Sequence, residues 1–421
     1  MLKRDAEARV LDLWADFPVV LVSGARQVGK TTLVESLGRR LKILQELSLD
    51  HSGTRSRASE DPELFVQGLR LPAFLDEAQK SPALFEAIKE QVDRDRRPGR
   101  WILSGSANFL LLKRVSESLA GRSARLFLRG ISVRELLGRV GKPPHLAECL
   151  KARSAKDLLE LCHASSKKVR WTPAEWPARI LTGRFPELVT HRHKESFRIS
   201  WMESYVDAFV EKDLPDLGGV HSRTEFRRFW RAAASAAAQI RDLTMLGSAL
   251  GISYHTAGRY LGLLEQGCHL FQLEPYYANI GKRLTKAPRL FSEDTGLALF
   301  LSGIRGIEQF EASDRRGAWL ENFVIAEIKS TIEMFFPGAQ GWFWRTLAGA
   351  EVDLIIEEGR RLLPIEIKWS SKPLRSELRG LEIFLKDFER QAPLGVVASG
   401  VSEPFLVTER VVAVPLSWLL T

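Results

Sequence analysis

Long apolar runs are missing from this 421-residue chain. No uninterrupted apolar stretch reaches the ~18 residues of a membrane-spanning helix. Cysteine is scarce as well, because Cys149, Cys162 and Cys268 are the whole set and no two of them form a CxxC pair. This pattern argues against a disulfide framework or a zinc motif and fits reduced thiols. Charged residues interrupt the first 17 positions, which argues against a signal peptide. These absences predict a cytoplasmic protein that does not enter a membrane.

Positive charge is in excess. The chain has 61 Lys and Arg against 52 Asp and Glu, a formal net charge of +9. Basic proteins often bind nucleic acid, although charge alone does not identify the partner. Hydrophobic residues make up 45% and charged residues 27%, which is typical of soluble globular proteins. The length predicts two to four domains.

A glycine-rich segment near the N-terminus predicts a phosphate-binding loop. The apolar run at residues 17–23 predicts a strand, residues 24–31 (GARQVGKT) match G-x-x-x-x-G-K-[ST], and a helix should follow to Leu41. Glycines let successive backbone N–H groups face phosphates, Lys30 would reach the β- and γ-phosphates, and Thr31 would bind Mg²⁺. The predicted nucleotide-binding residues are Gly24, Ala25, Arg26, Gln27, Val28, Gly29, Lys30, Thr31, Thr32 and Ser104.

An acidic pair follows the third predicted strand. The strand at residues 71–75 ends in Asp76 and Glu77. Asp76 would complete the Mg²⁺ site and Glu77 would activate the attacking water. Ser104 or Ser106, with Asn108, could order that water, and capping of the next helix is an equally good interpretation.

Predicted strands at residues 18–23, 43–49, 71–75, 101–105 and 124–129 alternate with helical stretches. This alternation predicts an α/β domain with a doubly wound parallel sheet, which binds its ligand at the carboxyl edge. The order of the motifs resembles an AAA+ ATPase. The resemblance implies ATP and Mg²⁺, a homo-oligomer, and an arginine that reaches the γ-phosphate from a neighbouring copy. Arg122 or Arg125 is the candidate, with a solvated surface as the alternative.

Two short helices predicted at residues 243–250 and 254–264 enclose the turn Gly251-Ile252-Ser253. Helix, turn and helix, followed by a hairpin with a basic tip, resemble a winged helix. Such a module would face a DNA groove and its phosphates. The predicted DNA contacts are Ser253, His255, Thr256, Arg259, Lys282, Arg283 and Lys286. Winged helices also serve as protein contacts or as lids over an ATPase site.

The C-terminal region combines a helix at residues 316–334 with a hairpin. Asp353 lies in the first hairpin strand, and Glu366 and Lys368 alternate with apolar residues in the second. With Glu321 on the helix, this arrangement resembles the PD-(D/E)xK nuclease fold, although Val352 stands before Asp353. The resemblance implies that Asp353 and Glu366 bind Mg²⁺, that Glu321 assists, and that Lys368 orients water. A solvated hairpin and a non-cleaving contact domain are the alternatives.

The segments GARQVGKTTL, FLDEAQ, ILSGSANFLL, WLENFV and EVDLIIEEGRRLLPIEIKWS together resemble a large family of bacterial and archaeal AAA+ ATPases. In that family the ATPase domain is fused to a winged helix and a restriction-endonuclease-like domain. The resemblance implies an ATPase domain at 1–140, a helical linker or lid at 141–200, a winged-helix region at 201–300 and a nuclease-like domain at 305–421. The favoured function is a Mg²⁺-dependent ATPase that binds DNA, with the C-terminal domain as a candidate nuclease. The alternative is a nucleotide-dependent switch or scaffold whose C-terminal domain binds a partner without cleavage.

Overall fold

The computed structural model describes residues 2–106, 118–166, 172–190, 194–220, 222–277 and 286–421. Three of the residues named above, Asn108, Lys282 and Arg283, lie outside these ranges, and only the backbone of Ser106 is described. Within the described ranges, none of the helices combines the length and the apolar character needed to cross a membrane.

The N-terminal region is built on a parallel five-stranded sheet in the order β2-β3-β4-β1-β5. Its strands are β1 (Val19–Gly24), β2 (Gln45–Ser48), β3 (Ala73–Asp76), β4 (Trp101–Ser106) and β5 (Ser123–Phe127). Because the strands are parallel, the carboxyl ends of β1, β3 and β4 meet at one edge. The predicted parallel α/β sheet is therefore confirmed.

Both faces of this sheet are covered. Along β1, Val19 and Leu21 join one hydrophobic cluster, whereas Val20 and Val22 join another on the opposite face. The alternation explains why β1 has a continuous apolar sequence. The covering helices are α1 (Ala6–Asp16), α2 (Lys30–Leu41), α3 (Ser52–Glu60), α4 (Pro62–Gln67) and α5 (Leu84–Arg94), followed by α6 (Val133–Leu136).

The middle of the chain is mostly helical. Its helices are α7 (Leu146–Lys151), α8 (Ala155–Ser166), α9 (Trp176–Thr182), α10 (Pro186–Thr190), α11 (Glu195–Ala208), α12 (Leu214–Leu217), α13 (Arg223–Ser235), α14 (Leu243–Ser248), α15 (Tyr254–Gln266), α16 (Thr295–Leu301) and α17 (Ile307–Glu311). A π-helical turn at Phe209–Asp213 links α11 to α12. Three strands, β6 (Gln239–Ile240), β7 (Leu270–Leu273) and β8 (Arg289–Ser292), pair antiparallel in the order β6-β8-β7.

The C-terminal region follows α18 (Arg316–Phe335) and carries a mixed six-stranded sheet in the order β13-β14-β12-β11-β10-β9. Its strands are β9 (Ala339–Arg345), β10 (Glu351–Glu358), β11 (Arg361–Lys368), β12 (Gly395–Ser399), β13 (Phe405–Thr408) and β14 (Val411–Pro415). Helix α19 (Arg379–Asp387) joins β11 to β12, and α20 (Leu416–Leu419) closes the chain. The predicted hairpin is confirmed as β10 and β11, which pair antiparallel.

Helices α7 and α8 pack against the C-terminal sheet, although they precede it by more than 170 residues in sequence. Helix α8 contacts β13 and β14, and α7 contacts β11. Trp418 of α20 donates a hydrogen bond from Nε1 to Ser165 Oγ at 2.8 Å. The helical linker or lid at residues 141–200 stays a prediction, and within it residues 146–166 pack on the C-terminal sheet.

His145 lies at this junction and makes its stability sensitive to pH. Its ring stacks on Trp418 at 4.8 Å, and its Nδ1 lies 2.9 Å from the Trp418 carbonyl oxygen. Burial lowers the pKa of His145 to about 4. Because the folded chain resists the proton that the unfolded chain accepts below pH ~6.5, stability should fall as the pH falls from there towards 4.

We expect the free energy of unfolding to decrease by up to about 1.4 kcal/mol per pH unit through His145 in this window. Thermal or urea unfolding at pH 7.5, 6, 5 and 4.5 measures the slope. His145→Gln should make the slope shallower, whereas exposed His255→Gln should leave it unchanged. Equal slopes in all three proteins would contradict the assignment.

Candidate functional site

Residues 25–29 turn the chain from β1 into α2 at the carboxyl edge of the parallel sheet. A Cβ atom on Gly24 would lie 2.2 Å from the carbonyl oxygen of Leu128, so only glycine fits there. Gly29 precedes the helix with φ of 90°, and Gln27 also has a positive φ of 61°. These conformations bend the loop around the first turn of α2, where unpaired N–H groups and the helix dipole favour an anion.

Lys30 is the first residue of α2, and its side chain folds back over the loop. Its Nζ donates hydrogen bonds to the carbonyl oxygens of Gly24 at 3.2 Å and Ala25 at 2.8 Å. Burial lowers the pKa of Lys30, while the nearby carboxylates of Glu77 and Asp76 raise it. The ammonium group is therefore held beside the loop that would surround a phosphate.

Asp76 is the last residue of β3, and its carboxylate accepts hydrogen bonds from two hydroxyl groups. Thr31 Oγ1 donates to Asp76 Oδ2 at 2.9 Å, and the Ser104 hydroxyl from β4 donates to Asp76 Oδ1. A hydroxyl and a carboxylate oxygen are hard ligands of the kind that Mg²⁺ prefers. Thr31 and Asp76 thus suit the ion predicted for them, and Ser104 positions the carboxylate.

Glu77 follows Asp76 in a left-handed conformation with φ of 54°. Its Oε2 accepts a hydrogen bond from Gln79 Nε2 at 2.5 Å. Burial raises the pKa of the Glu77 carboxyl, and the charge of Lys30 opposes this rise. A carboxylate with a raised pKa is better suited to accept a proton from water.

A cavity of about 850 Å³ opens beside this edge of the sheet. On one side it is lined by the loop and Glu77, and on the other by α11, the π-helical turn and the end of α15. The lining residues include Arg26, Gln27, Lys30, Thr31, Glu77, Trp201, Phe209, Lys212, Asp213 and Gln266. Its volume lies within the ~300–1,000 Å³ of small-molecule sites. The cavity therefore has room for a nucleotide between the loop and the helical region.

An ion pair joins the two walls of the cavity. Arg26 NH1 in the loop lies 2.7 Å from Asp213 Oδ1, which the π-helical turn carries. π-Helical turns are frequent at functional sites because they redirect a side chain. No local pattern predicts this ion pair, because 187 residues separate the two charges.

Comparison with known proteins decides the family. The AAA domain matches residues 16–137, and two domains of unknown function, DUF8612 and DUF4143, match residues 173–308 and 316–419. The uncharacterized protein Rv2008c of Mycobacterium tuberculosis is 33% identical over 420 residues, which cover 100% of this chain and 85% of that protein. The uncharacterized protein Mb2031c of Mycobacterium bovis matches to the same extent.

This chain belongs to the same family as these two mycobacterial proteins. Its N-terminal region is an AAA domain, as the motif order predicted. Among solved structures, a variant of RuvB from Thermotoga maritima is 16% identical and covers 64% of this chain and 90% of its own, with a TM-score of 0.30. The Hsp104–ADP complex of Saccharomyces cerevisiae is 13% identical, covers 80% and 46%, and has a TM-score of 0.27. Such low scores say nothing further about this chain.

Arg122 lies at the amino edge of the sheet of the AAA domain, opposite the loop. Its Nε and NH2 donate to the two carboxylate oxygens of Asp93 at 2.7 and 2.9 Å. Arg125 lies inside β5 and donates from Nε to Ser23 Oγ at 2.8 Å. Arg122 therefore points away from the cavity of its own chain, and its role at a neighbour's phosphate stays a prediction.

The predicted DNA contacts on α15 share one outward face. Ser253, His255 and Arg259 are exposed, and Thr256 is half-buried. The Ser253 hydroxyl accepts a hydrogen bond from the Thr256 backbone N–H at 3.1 Å, so it caps the helix. Lys286 is exposed in the segment before β8. The structure thus leaves His255, Arg259 and Lys286 available at the surface.

The C-terminal residues Glu321, Asp353, Glu366 and Lys368 do come together, on α18, β10 and β11. Asp353 and Glu366 are the next residues along their strands after the Leu354–Ile365 pair of the hairpin. Lys368 Nζ lies 2.6 Å from Glu366 Oε1. Burial raises the pKa values of Glu321 and Glu366. Even so, the described part of the chain contains no group of three His, Cys, Asp or Glu side chains arranged to hold a metal ion.

A fifth residue, Arg289 of β8, enters this carboxylate cluster. Its NH1 lies 2.6 Å from Glu321 Oε1 and 3.9 Å from Asp353 Oδ1, and the arginine is only 8% exposed. Nothing in the local sequence of β8 marks this arginine, since a charged residue at the start of a strand usually faces solvent. Only the packing of β8 beneath α18 reveals it.

Proposed function

We propose that this protein hydrolyses ATP in the cavity between the AAA domain and the helical region. The observation that carries the proposal is the convergence of Lys30, Thr31, Asp76 and Ser104, from three elements, at one edge of the sheet. The 850 Å³ cavity opens beside Lys30 and Thr31 and gives the nucleotide room. Purified protein should release phosphate from ATP with Mg²⁺ and stop when the ion is chelated. Absence of phosphate release under both conditions would contradict the proposal.

The residues at this edge of the sheet would have different roles in binding the phosphates and Mg²⁺. The N–H groups of the loop and the first turn of α2 would bind the phosphates, and Lys30 would leave its two carbonyl partners for the β- and γ-phosphates. Thr31 and Asp76 would hold Mg²⁺, which neutralises charge on the phosphates when bound. Ser104 keeps Asp76 oriented.

Glu77 would act on the attacking water. As water attacks the γ-phosphorus, the bond between that phosphorus and the β–γ bridging oxygen breaks, giving ADP and inorganic phosphate. The proton released by the water passes to Glu77, whose raised pKa suits acceptance. Gln79 donates to the same carboxylate and fixes its direction.

The contact between the two walls of the cavity would change with the bound nucleotide. Arg26 pairs with Asp213 across the opening, and Gln266 at the end of α15 lines the same space. Nucleotide that competes for Arg26 would loosen the pair and change how the helical region sits on the AAA domain. A change of this kind requires different nucleotide affinities in the two states. A second copy could add Arg122 at the phosphates, which would make the active form a homo-oligomer.

DNA binding is the second function we propose, and the exposed face of α15 supports it. A helix pair followed by β7, the segment that contains residues 278–285, and β8 has the order of a winged helix, with β6 as the third strand. His255 and Arg259 would face the groove, whereas Lys286 would contact phosphate together with Lys282 and Arg283.

Lys286→Ala, which removes a phosphate contact, should weaken binding to duplexes of unrelated sequence by similar factors. Arg259→Ala, which removes a groove contact, should weaken binding to some sequences more than to others. Each lost phosphate contact should reduce the slope of log K against log salt concentration by about one. Fluorescence anisotropy at four salt concentrations measures both quantities. Arg390→Ala, an exposed change in the C-terminal region, serves as the control and should bind like the parent. Unaltered affinity in Lys286→Ala and Arg259→Ala would remove this face from the DNA-binding proposal.

A further inference from the structure

Arg289 reaches from the three-stranded sheet into the carboxylate cluster of the C-terminal region. Its NH2 donates a hydrogen bond to Glu321 Oε2 at 2.9 Å, and its NH1 forms an ion pair with Glu321 Oε1 at 2.6 Å. NH2 also donates to the carbonyl oxygen of Ala238 at 2.6 Å. The ion pair with Glu321 and the hydrogen bond to Ala238 hold the guanidinium in a buried position.

The other carboxylates of the cluster also have partners. Asp353 Oδ2 accepts the backbone N–H of Ile367 at 2.8 Å, and its Oδ1 faces Arg289 at 3.9 Å. Glu366 Oε1 binds Lys368 Nζ at 2.6 Å, while Glu366 Oε2 accepts no hydrogen bond within the described residues. Three carboxylates therefore surround two cations that the chain itself supplies.

A divalent cation does not fit this arrangement. It would need oxygens from Asp353 and Glu366, and it would then lie beside the guanidinium of Arg289 in a buried space. Two like charges at such a distance repel strongly where water does not screen them. Among the described residues, Glu366 Oε2 and Glu321 Oε1 accept no hydrogen bond, and Glu321 Oε1 lies 2.6 Å from the guanidinium of Arg289. These two oxygens cannot supply the several ligands that Mg²⁺ or Mn²⁺ requires.

We infer that Arg289 and Lys368 take the place of a metal ion, and that the cluster joins the three-stranded sheet to the C-terminal sheet instead of cleaving DNA. This inference favours a non-cleaving contact domain and does not depend on ATP turnover. It predicts that Arg289 and Lys368 neutralise the carboxylates of the cluster, so that no metal ion is needed.

Backbone contacts beside the cluster support a joint of this kind. The chain leaving β7 pairs with β9, where Tyr276 N–H donates to the Phe343 carbonyl at 2.6 Å and Phe343 N–H donates to the Glu274 carbonyl at 3.1 Å. The Tyr276 ring then packs against Phe384 and Phe388 of the C-terminal region. The backbone pairing with β9 and the ion pair of Arg289 with Glu321 thus join the three-stranded sheet to the C-terminal region.

Manganese binding to the full chain, measured without nucleotide from the free-ion signal in electron paramagnetic resonance, tests the inference. All proteins carry Asp76→Asn, so that the nucleotide site takes up no metal. We expect this parent and its Asp353→Asn derivative to show the same lack of uptake. Arg289→Met, which keeps the apolar stem but removes the charge, should gain one Mn²⁺ that Asp353→Asn removes again. Uptake by the parent that depends on Asp353 would overturn the inference.

A stability measurement tests the joint independently of metal. Arg289→Met and Glu321→Met should each lower the melting temperature, since each leaves a buried partner unpaired. The double variant should lose less than the sum of the two single losses, and exposed Arg228→Met should lose nothing. Additive losses would show that the two residues act separately and would also overturn the inference. If Arg289→Met fails to fold, the comparison of the parent with Asp353→Asn still decides whether metal binds.

Discussion

Lys30→Met should reduce ATP turnover by at least about a hundredfold. In the structure, the ammonium group lies beside the loop and touches the Gly24 and Ala25 carbonyls. Removing one preorganised cation from a phosphoryl-transfer site forfeits stabilisation of the charge that develops on the phosphates, an effect of about 10²–10³ for a single such donor. Methionine keeps the volume of the buried stem, so the helix should remain folded.

Phosphate release measures turnover, and competition with a fluorescent ATP analogue measures binding. Arg40→Met is a matched control on the same helix, because Arg40 is exposed on α2 and belongs to no site. We expect the control to match the parent in both assays. Turnover that survives in Lys30→Met at the parental rate would reject the loop as the phosphate-binding element.

The AAA domain could be predicted closely because its signals are local. The strand expected at residues 18–23 is Val19–Gly24, and the one expected at 101–105 is Trp101–Ser106. Runs of apolar residues, buried on both faces, leave few alternatives to a parallel strand. The helix after Gly29 begins at Lys30, because glycine supplies the positive φ that the turn requires. Because β3 lies beside β4 in the parallel sheet, Asp76 and Glu77 at its end lie at the same edge as the loop.

Contacts between residues far apart in sequence could not be predicted. Asp213 meets Arg26 only because the π-helical turn lies over the loop, and neither residue differs from an ordinary surface charge in sequence. Arg289 meets Glu321 through the packing of β8 on α18, which no periodicity encodes. Likewise, α8 packs on β14 after a separation of about 250 residues. The packing of distant elements determines these contacts. The spacing of residues along the chain predicts only which side chains share one face of a helix or strand.

Glu77→Gln should separate nucleotide binding from hydrolysis. Glutamine keeps the shape of the side chain and can still accept from Gln79, so we expect ATP affinity to stay within about threefold of the parent value. Hydrolysis should fall by about 10²–10⁴, the usual contribution of a positioned general base. The pKa of Glu77 is raised by burial, so parental turnover should increase with pH as this carboxyl loses its proton. The glutamine variant should lack that increase.

Single-turnover phosphate release and equilibrium binding, each measured between pH 5 and 8, test both parts of the expectation. Glu63→Gln is the matched control, because Glu63 is exposed in the same domain and lines no part of the cavity. Loss of binding together with loss of hydrolysis would mean that Glu77 supports the loop instead of acting on water. Hydrolysis at the parental rate would remove Glu77 from the reaction, leaving Asp76 as the acidic residue best placed to act there. Retained binding with lost hydrolysis would place Glu77 at the proton-transfer step, because no other change in the site accompanies the exchange of one carboxylate oxygen for an amide.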